Sequence, residues 1–209
     1  MQPLGSFCVH ANWQECSAVL CCFGGRWPVC RAVCAQPQHV VLGPANTQAR
    51  LYAKTAVTNI DGSFGQVSGN LTYNLEDQSC HVDLSMAVES LKVGSAVLKA
   101  IMLSGIMLDE DSHPIMHFVG DCKPAIRQGK PHTLLVGNLT MRGQTHPLTF
   151  EVSMHFTGNT LTQIQSDATF DQREWGVSTL LHSVDPMVRT QTLIDLAPKP
   201  DQPAAKAAK

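Results

Sequence analysis

Leu148-Thr149-Phe150-Glu151-Val152-Ser153-Met154-His155-Phe156 alternates apolar and polar residues without a break. Successive side chains of a strand point to opposite faces, so this stretch is a strand with one apolar and one wet face. The same period recurs upstream, where Val82, Leu84, Met86 and Val88 alternate with His81, Asp83, Ser85 and Ala87. Working outward, weaker strands are predicted over residues 50–58, 64–74, 115–122, 133–142, 161–170 and 188–196. Turn residues separate them: Asp61-Gly62, Glu76-Asp77, Gln128-Gly129-Lys130-Pro131, Arg142-Gly143-Gln144 and Thr157-Gly158-Asn159. One segment has a helical period. In residues 96–103, Val97, Leu98, Ile101 and Met102 recur at spacings of three and four. The expectation is an all-β fold: a single antiparallel β-barrel of about eight strands, with one short helix between strands three and four. Closure explains how so many strands avoid sticky edges, and a barrel of that size can hold one small ligand.

The chain has 209 residues, 15% of them charged, and a formal net charge of −2. Lys and Arg are scattered, so the basic stripe expected of a nucleic-acid binder is missing. No apolar run approaches the roughly 20 residues of a membrane-spanning helix, and stable membrane insertion is not expected. The two ends differ from the middle. Residues 1–44 contain six of the eight cysteines, Gly24-Gly25 and a short apolar run from Ala18 to Phe23. They read either as a secretory leader, with Val33-Cys34-Ala35 as a small-residue cleavage site, or as an over-extended start. On both readings they stand outside the fold. Residues 197–209, APKPDQPAAKAAK, have no periodic apolar face and read as a disordered tail. That leaves residues 45–196 as one domain.

Chemistry-bearing motifs are few. There is no G-x-S-x-G elbow, no G-x-G-x-x-G, no phosphate loop and no H-E-x-x-H, so no catalytic residues are assigned and the chain is read as a non-enzyme. Asp109-Glu110-Asp111 is a solvated or capping cluster, with no partner to make paired catalytic carboxylates. His113 and His117 are four apart, but Pro114 and the strand that follows remove the shared helical face, and no metal ligands are assigned. The Asn-Leu-Thr triplets at Asn70 and Asn138 match a glycosylation sequon incidentally. Cys80 and Cys122 are either two small buried thiols or, if the fold makes them neighbours in an oxidising compartment, a disulfide.

The motif Gly137-Asn138-Leu139-Thr140-Met141-Arg142-Gly143-Gln144-Thr145-His146-Pro147-Leu148 resembles the G-x-L-T-x-x-G-x-T-x-P hairpin of the YceI-like family of polyisoprenoid-binding proteins. In order around it, Glu89-Ser90-Leu91-Lys92-Val93-Gly94 resembles the family's S-L-x-T-G approach to a helix. His113-Pro114-Ile115-Met116-His117-Phe118 resembles its P-x-x-x-F strand, and Arg173-Glu174-Trp175-Gly176 its R-x-x-G segment. The resemblance covers about residues 49–196. Ile106-Met107 stands where the family commonly has an aromatic pair, and Lys54–Thr58 lacks a histidine often found there.

The resemblance implies a lipocalin-like barrel and a periplasmic or secreted protein. It implies a partner that is a long isoprenoid lipid, of quinone or polyprenyl type, with no required cofactor; a homodimer is compatible with it. The lining expected for such a ligand is Val82, Leu84, Met86, Met116, Phe118, Leu148, Phe150, Val152, Met154 and Phe156. From the pattern alone these residues suit a filled core as well as a tunnel, and a filled barrel would place function on the surface, as a protein-interaction or stress-response module. The resemblance favours the tunnel, for which flexible methionines are suited. Arg173 is the charged residue singled out, as a head-group contact or, more ordinarily, as a structural ion pair or a stem over Trp175.

Overall fold

A computed structural model of the protein describes residues 36–55, 59–178 and 184–197. The leader reading of residues 1–35 and the tail from residue 198 lie outside the described residues. Eleven strands form one sheet: β1 (Gln38–Leu42), β2 (Thr47–Thr55), β3 (Asn59–Phe64), β4 (Val67–Asn74), β5 (Ser79–Ala87), β6 (Leu91–Lys92), β7 (Ile115–Arg127), β8 (Lys130–Met141), β9 (Gln144–Thr157), β10 (Thr160–Asp171) and β11 (Val184–Asp195). Their order is β1-β4-β5-β7-β8-β9-β10-β11-β2-β3-β6, with every pair antiparallel.

The expected closed barrel of about eight strands is therefore corrected to an eleven-stranded curled sheet, a half-barrel whose end strands are β1 and β6. Among the described residues, each end strand pairs on one side only. The corner between the ends is tied by loop hydrogen bonds, from Gly65 N–H to Ser90 carbonyl (3.0 Å) and from Ala87 N–H to Gln66 carbonyl (3.1 Å).

Three strands escaped the periodicity, each for a physical reason. β1 lies inside the stretch set aside as 1–44, yet it pairs with β4 and buries Leu42 in the core, so the fold begins before residue 45. β3 contains Asp61-Gly62, which is strand here and not the expected turn. Gly62 stands opposite Leu51, whose side chain lies 3.1 Å from where a Cβ would be. β6 is two residues long, too short to carry a period. The helix α1 (Ala96–Leu103) falls on the expected residues, with the Ser95 hydroxyl accepting from Leu98 N–H as its N-cap. Because of the added strands it lies between β6 and β7, not between strands three and four.

The motif hairpin joins β8 to β9 through Arg142-Gly143, both at positive φ (51° and 69°), the mirror-image turn that suits the twist of paired strands. The Arg142 side chain then reaches across to donate to the carbonyls of Gly105 and Met107, fixing the segment after α1. Gly120 and Gly137 are cross-strand partners on β7 and β8, and the Phe118 ring lies over both. A Cβ on Gly137 would stand 2.1 Å from the Val119 carbonyl oxygen and 2.7 Å from Phe118 Cζ. Backbone cannot yield as a flexible side chain can, so Gly137→Ala is expected to cost about 3 kcal/mol, measurable as a lower urea midpoint at unchanged slope.

Candidate ligand cavity

The concave face of the sheet gathers one main apolar cluster, including Leu71, Leu84, Met86, Phe118, Leu139, Phe150 and Trp175. Inside it lies a cavity of about 100 Å³. At roughly 3.3 Å per residue, the lining stretch of β5 over residues 80–86 runs about 20 Å, and β9 contributes over a similar length through Leu148, Phe150, Val152 and Met154. So small a volume spread over that length is a narrow seam, not an open chamber.

Of the ten residues expected to line a tunnel, nine border this cavity: Val82, Leu84, Met86, Met116, Phe118, Leu148, Phe150, Val152 and Met154. Phe118 and Phe150 meet edge to face with centroids 5.0 Å apart. Phe156 does not join them. It is 51% exposed, at the end of β9 beyond the reach of the core. Arg173 is also absent from the lining. Its guanidinium grips the Asp171 carboxylate through Nε (2.9 Å) and Nη2 (2.5 Å) on the exposed surface. That contact holds Asp171 below and Arg173 above their ordinary values. It is the structural ion pair; the head-group role is not supported by its position.

The sequence reading missed much of the wall. Leu135, Leu139 and Met141 come from β8, Met102, Met107 and Leu108 from α1 and its following turn, and Ile164 and Ser166 from β10. Adjacent Leu134-Leu135 hides the alternation of β8. In β10 the register shifts between Leu161 and Gln163, so the apolar residues fall out of period two. Cys80 and Cys122 are joined by a disulfide across β5 and β7, with Cα atoms 4.8 Å apart, and both line the cavity.

On the outer face behind the seam, Asp167 of β10 accepts from Gln165 (2.7 Å), Arg189 (2.5 Å) and Gln191 (3.2 Å). Burial pushes its carboxyl up, but these hydrogen bonds and the Arg189 charge together outweigh burial and hold it below the ordinary carboxylate value. A depressed folded value gives stability that is fully present above the unfolded value and is lost as pH falls through the folded one. The stability difference between the natural chain and Asp167→Asn is therefore expected to be constant above about pH 5 and to shrink below about pH 4. Denaturant midpoints across that range check it.

A curled antiparallel sheet folded round an apolar seam defines a class, the half-barrels whose interior is the natural place for a ligand. Within that class, the chain belongs to the YceI-like domain family, whose signature matches residues 41–197. No curated protein matches it. Solved structures share the fold, among them the following three. Burkholderia cenocepacia BcnA is 15% identical, with a TM-score of 0.63 over 72% of this chain and 96% of that one. A polyisoprenoid binding domain from Saccharophagus degradans, implicated in plant cell wall breakdown, is 10% identical, with a TM-score of 0.52 over 75% and 95%. The Campylobacter jejuni YceI protein is 11% identical, with a TM-score of 0.54 over 69% and 90%. At such identities the likeness concerns the fold.

Proposed function

We propose that the protein binds a long isoprenoid lipid, of quinone or polyprenyl type, along the seam of its curled sheet, as a carrier in the cell envelope and without catalysis. The observation that carries this reading is the length and apolarity of the lining. Each methylene taken from water into such a wall is worth about 0.8 kcal/mol, so an extended seam favours a long chain over a compact ligand. Six methionines line it: Met86, Met102, Met107, Met116, Met141 and Met154. Unbranched thioethers can swing aside and repack against an irregular chain. The Saccharophagus degradans domain of the same fold, described as polyisoprenoid-binding, supports the ligand class. The Cys80–Cys122 disulfide supports an oxidising compartment such as a periplasm or the exterior. No helix among the described residues is long and apolar enough to cross a membrane. The reading needs no metal or other cofactor.

One observation favours a second reading. A volume of about 100 Å³ is small for a long lipid, and if the methionines do not move the core is simply filled and function lies on the surface. Organic extraction of the protein purified from an envelope fraction tests the choice. The expected result is one isoprenoid species, close to one equivalent per chain. Repeated preparations that yield folded protein and no lipid would contradict the proposal.

A further inference from the structure

The hairpins β4–β5, β7–β8 and β9–β10 turn at the same end of the sheet, since β4, β7 and β9 run toward it and β5, β8 and β10 away. The seam reaches solvent there: Leu75, in the β4–β5 turn, lines the cavity and is 43% exposed. The β7–β8 hairpin outruns its neighbours. β7 pairs with β5 only as far as Asp121, and β8 pairs with β9 only from Thr133. Beyond those points, among the described residues, 123–132 take part in the β7–β8 pairing alone, a two-stranded arm closed by Gln128-Gly129 at positive φ (52° and 74°). Period two gives this arm two unlike faces. Cys122 and Leu135 line the cavity, and the unbroken register carries their face outward through Pro124, Ile126 and Pro131. Ile126 is 82% exposed, and Phe156 of β9 extends the same inner face into solvent.

The opposite face of the arm carries Lys123, Arg127, Lys130 and His132. No Asp or Glu occurs between Asp121 and Glu151. Arg127 pairs with Glu151, whereas Lys123 and Lys130 have no carboxylate partner among the described residues. Glu76 and Asp77 lie in the neighbouring β4–β5 turn, so the positive charge belongs to the arm itself. Pro124 and Pro131 interrupt the N–H row of both its strands, which makes them poor templates for a strand from another protein. An exposed aliphatic tip backed by cations instead matches an anionic bilayer, where apolar groups enter the acyl boundary and Lys meets lipid phosphates. The apolar group beside the β8–β9 turn, Val97 and Ile101 of α1 with Ile106, lacks that complement. It holds Lys99 against Asp109, Glu110 and Asp111.

We propose that the β7–β8 arm, with Ile126 at its tip, docks the protein on an anionic lipid bilayer and sets the open end of the seam against it. An apolar ligand then passes between membrane and cavity without crossing water. That passage rests on the isoprenoid reading of the cavity; the docking does not. The test is co-sedimentation of the full chain with vesicles of phosphatidylglycerol and phosphatidylethanolamine, or of phosphatidylcholine alone. Partition onto the anionic vesicles is expected to be about tenfold stronger, and the preference to vanish at about 0.5 M salt. Ile126→Glu and Lys123→Gln/Lys130→Gln, all at exposed positions, are each expected to lower it about tenfold, through lost insertion and lost phosphate contacts respectively. Val97→Glu changes the net charge as Ile126→Glu does, at a site 72% exposed on α1. Lying more than a Debye length from the arm, it is expected to alter partition by less than about twofold. Equal binding to both vesicle types overturns the proposal, as do arm variants that bind like the natural chain or a loss confined to Val97→Glu. If Ile126→Glu lowers the urea midpoint or splits a dimer while vesicle binding holds, the tip is covered by the chain's own residues or by a second copy, and the proposal falls. The vesicles contain no isoprenoid, so failed docking beside a lipid recovered by extraction leaves the cavity reading standing, and docking without a recovered lipid does the reverse.

Discussion

Trp175→Ala is expected to remove about 5 kcal/mol of stability, enough to leave much of the chain unfolded at room temperature. Trp175 is wholly buried, at 0% exposed. Its ring meets Phe170 edge to face at 5.0 Å and His146 at 5.1 Å, and its Nε1 donates to the Leu139 carbonyl at 2.9 Å. Truncation removes the largest side chain in the core and leaves a cavity, which costs about 3–5 kcal/mol. It also strands the Leu139 carbonyl without its donor, for about 1 kcal/mol or more. Set against a typical total of about 5–15 kcal/mol, the sum is most of what a domain has. Trp175→Phe separates the two contributions, since the ring volume is mostly kept and the donor is lost; about 2 kcal/mol is expected. Urea denaturation of both variants gives the numbers. A loss under about 1 kcal/mol for the alanine variant would mean that Trp175 does not pin the short 3-10 turn Gln172–Trp175 against β8 as described.

The second large effect belongs to the disulfide. Cys80 and Cys122 are 42 residues apart in sequence, and a cross-link closing a loop of that size restricts the unfolded chain by about 4 kcal/mol in the loop-entropy account. Reduction, or Cys80→Ser/Cys122→Ser, is expected to lower stability by about that amount. The strands themselves should survive in native buffer, because β5 and β7 stay paired through seven further residue pairs, from His81↔Asp121 to Ala87↔Ile115. Denaturant unfolding with and without a reductant measures the change. An effect of reductant on the natural chain but not on the double variant assigns it to this bond.

How much of this was legible beforehand follows from which faces are wet. β5 and β9 have one side in solvent and one in the core, so their alternation is complete and their inward residues were readable. Period reveals a face but not a depth, which is why Phe156 continues the pattern of β9 while lying past the end of the core. β3 was hidden by Asp61-Gly62, a pair that reads as a turn in isolation but here lies within a strand paired along its length with β2, where Gly62 stands opposite Leu51. For Arg173 the sequence favoured a structural ion pair or a stem over Trp175 without naming the partner, because Asp171 is two residues away and the contact depends on the 3-10 turn between strands. Ser166 and Thr192, two polar residues of the cavity wall, were invisible for the opposite reason. Polar residues on an inward face break the very alternation by which an inward face is recognised, and their pairing arises from a register that no local pattern encodes.

The central claim is that a long apolar chain enters the seam between the methionine-rich strands. Methyl NMR of the protein labelled at its methionines, titrated with geranylgeraniol, tests it most directly. Met86, Met102, Met107, Met116, Met141 and Met154 line the cavity, whereas Met187 is 46% exposed and lies outside it. The expected result is large, saturable shifts at the lining methionines with Met187 unmoved. Shifts confined to Met187, or none at any methionine under conditions where the protein is folded, would contradict it and leave the interior as filled core.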